Sequence, residues 1–192
     1  VSIVLPNKIS NYFRTLDIKT ITDETAAEAI TLFGLSRHLD TWTPPKESYR
    51  MLRQIIRERD QILQSRTAAK NQLHAENAGA YPHKSSVKRT QKLIAFLDKQ
   101  EQEINQEIKE LVQNDHKKKK TLKVLCTIPG IGLLTASTVL AETNGFDLIR
   151  NKRQLVSYAG LDVREKISGT SVKGKPRISK KGNRYLRKAM HF

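Results

Sequence analysis

The stretch "LCTIPGIGLLTASTVLAE" (Leu125–Glu142) decides how this chain is read. It sets a Pro-Gly-x-Gly turn between two apolar, helix-like runs, which is the sequence form of a helix-hairpin-helix. Ile128 and Ile131 are expected to plug the interior of the turn. Gly130 and Gly132 allow backbone conformations closed to other residues and remove side chains where a ligand would approach. The amides that open the helix from about Leu133 lack intrahelical partners, and the dipole makes that end positive. Together these features suit an anion such as a nucleic-acid phosphate, gripped without reading bases. Thr135 and Ser137 are candidate hydroxyl donors beside it. A tight helix–helix turn with no ligand is the plainer alternative.

The charge of the chain favours the first reading. Lys and Arg number 35 against 19 Asp and Glu, a net +16, which draws polyanions and makes their binding salt-dependent. Much of this charge lies downstream, in "REKISGTSVKGKPRISKKGNRYLRKAMHF" (Arg164–Phe192). Lys173, Lys175, Arg177, Lys180, Lys181, Arg184 and Arg187 are interleaved there with Gly169, Gly174 and Gly182. The pattern reads as mobile glycine loops whose cations follow a phosphate path. A last helix from about Asn183, itself a candidate DNA-binding residue, spaces Arg184, Arg187 and Lys188 at three and four residues, on one face. Tyr158 and Tyr185 are candidates for base stacking, with core packing the stronger expectation for Tyr158. A merely solvated basic face is the alternative for this whole segment.

Upstream, the chain divides at 45 and 115. Residues 1–45 open with "VSIVLP", read as a strand over Ile3–Leu5 ended by Pro6. A short helix around Lys8–Leu16 follows, then a helix over Asp23–Ser36 capped by Thr22 or Asp23. "TWTPP" (Thr41–Pro45) breaks the chain. Residues 46–115 read as a helical hairpin, Lys46 to about Ala78 and back, turning through "NAGAYPHKSS" (Asn77–Ser86). On the return helix Ile94, Leu97, Glu101, Ile104, Ile108 and Leu111 step by three and four, a coiled-coil seam with one polar position. Arg59 and Arg66 interrupt the outgoing stripe in the same way. The hairpin is either a spacer or an arm for self-association; both readings stay open. Residues 116–192 begin with "HKKKK" (His116–Lys120), read as the end of a helix, where cations suit the dipole.

Other classes are set aside. No run of about 18 apolar residues suggests a membrane span. One cysteine, Cys126, excludes an internal disulfide, fits a reducing compartment and reads as a small buried hydrophobe. The five histidines lack ligand spacing, and no Walker-type loop appears.

Taken together, "IPGIGLLTASTVLAE", "LVSYAGLDV", "SGTSVKGKPRISKKGN" and "LRKAM" resemble the C-terminal transposase domain of the insertion-sequence-110 family, the DEDD transposases, which include RNA-guided recombinases. "VSIVLPNKISNYFRTLDIKTITDETAAEA" resembles the end of that family's ribonuclease-H-like catalytic domain, and the hairpin its coiled-coil linker. The resemblance implies a mainly α chain in three parts: a remnant of the ribonuclease-H-like domain (1–45), an antiparallel coiled coil (46–115) and a helix-hairpin-helix transposase domain (116–192). It implies DNA as partner, a guide RNA in part of the group, assembly through the coiled coil, and a cytoplasmic setting at the bacterial or archaeal nucleoid. It also implies four acids that bind Mg2+ and a serine that attacks DNA. The serine position matches Ser168. Asp23 of "TDETAA" matches the third acid, a catalytic metal ligand, but Ala26 stands at the fourth. The first two acids fall upstream of Val1, and relatives continue past Phe192. The expectation is therefore a partial chain, truncated at its C-terminus, that binds nucleic acid without cleaving it. Against the transposase reading stand a purely nucleic-acid-binding module and a coiled-coil assembly piece.

Overall fold

The computed structural model describes residues 1–168 and 172–191, and the side chains of residues 166–168, 172 and 173 lie outside that description. The described chain is mainly helical, as expected. In order, the elements are α1 (Pro6–Phe13), α2 (Asp23–Ser36), α3 (Glu47–Ala78), α4 (Lys84–Gln113), α5 (His116–Leu125), α6 (Leu133–Glu142), α7 (Lys152–Ala159), β1 (Val163–Ser168), β2 (Val172–Ile178) and α8 (Arg184–Ala189). Two units separate between Pro44 and Pro45, where consecutive prolines deny the chain helix hydrogen bonds.

In the unit Val1–Pro44, α2 has the expected bounds. Thr22 caps it: its hydroxyl accepts from Thr25 N, and the Thr25 hydroxyl accepts from Thr22 N at 2.9 Å. Phe33 is buried and meets Tyr12 edge-to-face at 5.2 Å, with the Arg37 guanidinium 4.8 Å from the Phe33 ring centre. The strand expected at Ile3–Leu5 is not formed. Residues 1–5 run into α1, which takes Pro6 into its first turn, and no other strand among the described residues of this unit offers a ladder. β-branched composition alone does not make a strand when its amides have nothing to pair with.

The second unit is built on the long hairpin α3–α4. Its polar interruptions pair with one another. Glu101 accepts from Arg59 at 2.8 Å and is also bonded by Arg66, while Arg59 donates to Asn105 at 2.7 Å and Arg66 to Asp98 at 2.7 Å. Such a partly buried polar cluster fixes the register of two helices that apolar packing alone would let slide. At the base of the hairpin, Leu52 and Ile56 of α3, Ile104, Ile108 and Val112 of α4, Leu122 of α5 and Ala136 and Leu140 of α6 form the main core. A second cluster joins Val139, Ala159 and Leu186.

The lysine run begins a helix instead of ending one. Asp115 interrupts the chain and caps α5, accepting from Lys117 N at 3.0 Å and Lys118 N at 3.1 Å. These bonds, the amide of Lys118 first and its ammonium after, hold the Asp115 carboxyl below its ordinary range. Lys118 is not solvated: it is buried, with Nζ 3.3 Å from Asp115 and 5.2 Å from the Tyr49 ring centre. Cys126 lies in the hairpin turn and is exposed, not buried, because α5 has already ended at Leu125. The segment read as glycine loops forms an antiparallel ribbon, with Val163 opposite Ile178 and Arg164 opposite Arg177. The β-branched residues Val163, Ile167, Val172 and Ile178 that bracket its cations favour extended backbone over a loop.

Candidate nucleic-acid interface

The corner between α5 and α6 is a helix-hairpin-helix. Ile131 N donates to Ile128 O at 3.1 Å, closing a turn with Pro129 second and Gly130 third. Gly130 has φ +85°, the left-handed value such a turn demands, at a cost to any other L-residue of about 1–2 kcal/mol. Gly132 occupies the N-cap of α6 with extended backbone, and no side chain caps that helix. A Cβ built at either glycine meets no described atom within 4 Å. The amide end of α6 therefore faces open space. Around it the sequence from His116 to Ala141 contains no acid, and α5 exposes Lys117, Lys119, Lys120 and Lys123.

The flanking side chains divide. Ile131 packs onto the main core, but Ile128 is 48% exposed and does not plug it, because the turn swings it outward. Thr135 is half-buried and lines a cavity of about 190 Å³ shared with Asp60, Tyr185 and Lys188. Ser137 is fully buried, so its hydroxyl does not reach a ligand outside the fold.

The basic tail also divides. Lys175, Arg177, Lys180, Lys181 and Arg184 are exposed. Arg164 and Arg177 sit directly opposite in register, a like-charge pair that destabilises a ribbon unless an anion lies over it. Lys173 and Ser168 fall where side chains lie outside the described residues. Asn183 and Arg187 are engaged by the fold. Asn183 caps α8, accepting from Tyr185 N at 2.9 Å and Leu186 N at 3.0 Å, and donates to Glu142 at 2.6 Å. Arg187 Nη1 donates to Ala159 O at 2.9 Å. Arg184, Arg187 and Lys188 thus turn to three different partners: the Tyr185 ring, the end of α7 and Asp60. Tyr185 also carries Arg57, 4.7 Å from its ring centre, and Tyr158 packs on the second core with its hydroxyl on Glu142 O at 3.2 Å.

What holds this surface to the hairpin was not legible in the sequence. Glu142 is fully buried; its two oxygens accept from Arg57 at 2.9 and 2.8 Å, and Arg53 donates to Ala141 O at 3.0 Å. The bidentate Glu142 contact holds the Arg57 guanidinium even further above its already high range. The partners are 85 residues apart, beyond any local pattern.

Asp23 is the first residue of α2 and exposed, in the other unit from Ser168. Its carboxylate and that of Glu24 sit at the positive end of the helix, where they are favourable without a metal. Ala26 brings no donor to the turn that Asp23 begins. Among the described residues no group of three or more His, Cys, Asp or Glu side chains is placed to hold a metal ion, so these residues do not by themselves fit the expected Mg2+. Among the described residues no helix is long and apolar enough to cross a membrane.

Two family models match this chain. One, described as Transposase IS116/IS110/IS902 family, covers residues 122–192, the corner and tail. The other, a DEDD transposase model of the IS110 type, covers residues 1–82. Among curated proteins, the pilin gene-inverting proteins of Moraxella bovis and Moraxella lacunata are each 27% identical over 193 residues, 99% of this chain and 57% of theirs. An uncharacterized 43.6 kDa protein of insertion element IS110 from Streptomyces coelicolor is 39% identical over 67 residues, 35% of this chain and 16% of its own length. The chain thus spans a little over half of the Moraxella proteins it matches.

Proposed function

Because this chain belongs to the IS110 family of transposases, we propose that it takes part in DNA transposition or recombination, gripping the DNA backbone with the open amide corner at Gly130 and Gly132. The observation that carries the reading is the uncapped, unobstructed start of α6 in a lysine-rich stretch of sequence, His116 to Ala141, that contains no acid. Thr135 adds a hydroxyl beside it. The ribbon and tail cations Lys173, Lys175, Arg177, Lys180, Lys181 and Arg184 extend the grip along the strand. Asn183 and Arg187 act within it by holding α8 in place. The relatives named for pilin gene inversion support rearrangement of DNA as the outcome. An RNA backbone presents the same phosphates, so a guide RNA is the second partner of this reading, and the α3–α4 arm is the surface for self-association.

In this reading residues 1–45 are part of the ribonuclease-H-like domain, 46–115 the coiled coil and 116–192 the transposase domain. Ser168 supplies the nucleophile. Its hydroxyl gives up a proton, attacks a DNA phosphorus and displaces a strand hydroxyl, leaving a serine–phosphate ester. Asp23 is one of the family's metal-binding acids; among the described residues no cluster of acids completes a site around it, and no step is routed through a metal. In a full-length relative, alanine at the position of Ser168 is expected to abolish covalent capture of DNA on a denaturing gel. Capture at the wild-type level would remove the assignment.

Gly132→Asp tests the corner. Aspartate is a favoured N-cap and the site is open, so stability is expected to rise by a few tenths of a kcal/mol. A carboxylate where a phosphate should sit is nevertheless expected to weaken binding of a 20-base-pair duplex by about tenfold or more. The same charge at Gly34, also open, controls for net charge. Equal effects at the two positions would sink the corner as the grip.

A further inference from the structure

At the far end of the arm from the corner, the charge runs against what the helices need. From Thr67 to Leu97 the chain carries Lys70, Lys84, Lys88, Arg89 and Lys92 against one acid, Glu76. Lys84, Lys88, Arg89 and Lys92 fall in the first three turns of α4, which has no side-chain cap and no acid in its first turn. Of these, Lys84 stands in the first turn, where a cation opposes the helix dipole; the other three lie beyond it. The second half of α4 is acidic: Asp98, Glu101, Glu103, Glu107 and Glu110 outnumber Lys99 and Lys109. Helix stability favours the reverse order, acids first and bases last. A local rule broken this consistently points to a use outside the helix.

The cations are free to act. All four are exposed, and none lies within 4 Å of a carboxylate among the described residues. Glu76, the acid of this end, is turned inward and accepts from the Ser86 hydroxyl at 2.8 Å. Beside them Tyr81 is 97% exposed, and Tyr81, His83, Lys84 and Lys88 line an open hollow of about 830 Å³. An unshielded ring among lysines matches the chemistry of a nucleic-acid backbone with a base in reach. A second copy of the chain fits less well. The acids it would offer from α4 are partly engaged within the hairpin, Asp98 and Glu101 by Arg59 and Arg66, and Glu103 by Lys99.

We propose that the tip of the arm, around Tyr81, Lys84, Lys88, Arg89 and Lys92, is a second DNA-backbone contact, separate from the helix-hairpin-helix corner. At 1.5 Å per residue the 32 residues of α3 span about 48 Å, the length of about 14 base pairs. The inference rests on the DNA-binding reading above, and the experiment separates the two.

The test measures binding of the chain to a 40-base-pair duplex as salt is varied. Glutamine at Lys84, Lys88, Arg89 and Lys92 together is expected to weaken binding by about tenfold or more at 0.15 M salt. It should also reduce the slope of log K against log salt by about 3 to 4, near 0.9 for each phosphate that is no longer neutralised. K88E/K92E is the folding control. Both positions are exposed helix sites and glutamate is a good helix former, so its Tm should hold while affinity falls. K88R/K92R should bind as the wild type does. Unchanged affinity and slope in the glutamine variant, with the Gly132→Asp effect intact, would overturn the tip contact alone. No binding by the wild type would overturn both readings. Loss of affinity only for a 40-nucleotide RNA hairpin would make the partner RNA and end the DNA assignment. Loss only of a sedimenting dimer would replace it with a second copy.

Discussion

Glu142→Ala is expected to lower the unfolding free energy of the arm-and-corner unit by about 3 kcal/mol, read by urea denaturation. The carboxylate is fully buried and takes three hydrogen bonds, two from Arg57 and one from Asn183, at 2.6–2.9 Å. Removing one partner of a buried pair leaves the others desolvated and unmatched, typically at 3–5 kcal/mol. The low end applies because the Arg57 side chain is 41% exposed and can turn to water. The loss is not local to α6. The same carboxylate joins α3 through Arg57 to the cap of α8 through Asn183, so the amides of Tyr185 and Leu186 should exchange faster with solvent. Arg57→Ala should cost less alone, and the double variant should show a coupling of more than about 1 kcal/mol. A Glu142→Ala protein within 1 kcal/mol of wild type, with α8 exchange unchanged, would show that the packing around Leu140 and Leu186 holds this junction unaided.

Gly182→Ala is expected to have a comparable effect by a different route. A Cβ at this position would stand 2.5 Å from Tyr158 O, 2.6 Å from Gly160 N and 3.0 Å from the Ala159 carbonyl carbon. These are backbone atoms, which cannot rotate away as a side chain would. They are also locked: Asn183 N donates to Tyr158 O at 2.7 Å, and Lys180 N to Gly160 O at 3.0 Å. One methyl must therefore push the 179–183 strap off the end of α7, at about 3 kcal/mol, the upper part of the range for overpacking. Displacing the strap moves α8 and its cations, so duplex affinity should fall as well. Gly132→Ala is the contrast. Its Cβ meets no described atom within 4 Å and its φ is ordinary, so only the poorer N-cap preference of alanine counts against it, at about 1 kcal/mol or less, and it should melt well above Gly182→Ala. Equal melting temperatures for the two alanine variants would falsify the close-approach argument.

Local chemistry determined much of this chain from its sequence. The bounds of α2, the long hairpin and its turn, the break at Pro44 and Pro45, and the helix-hairpin-helix corner follow from caps, prolines, glycines and a three-to-four apolar repeat. Each acts within a few residues of itself. The same signals placed Asp23 and Gly130 where they are found, at a helix start and in a left-handed turn. What the sequence did not reveal required a partner distant along the chain. Ile3–Leu5 has strand composition but no second strand to complete its hydrogen bonds. Cys126 looked buried because it adjoins an apolar run, and it is exposed because α5 stops one residue earlier. The lysine run read as the end of a helix, yet Asp115 makes it the start of one, and Lys118 is drawn inside by Asp115 and Tyr49. Arg187 and Asn183 looked like free ligands of a phosphate, and the fold engages both. Above all, Glu142 acquires its role only when α3 brings Arg53 and Arg57 beside it. A carboxylate is soluble anywhere on a surface, and only tertiary burial makes its partners obligatory.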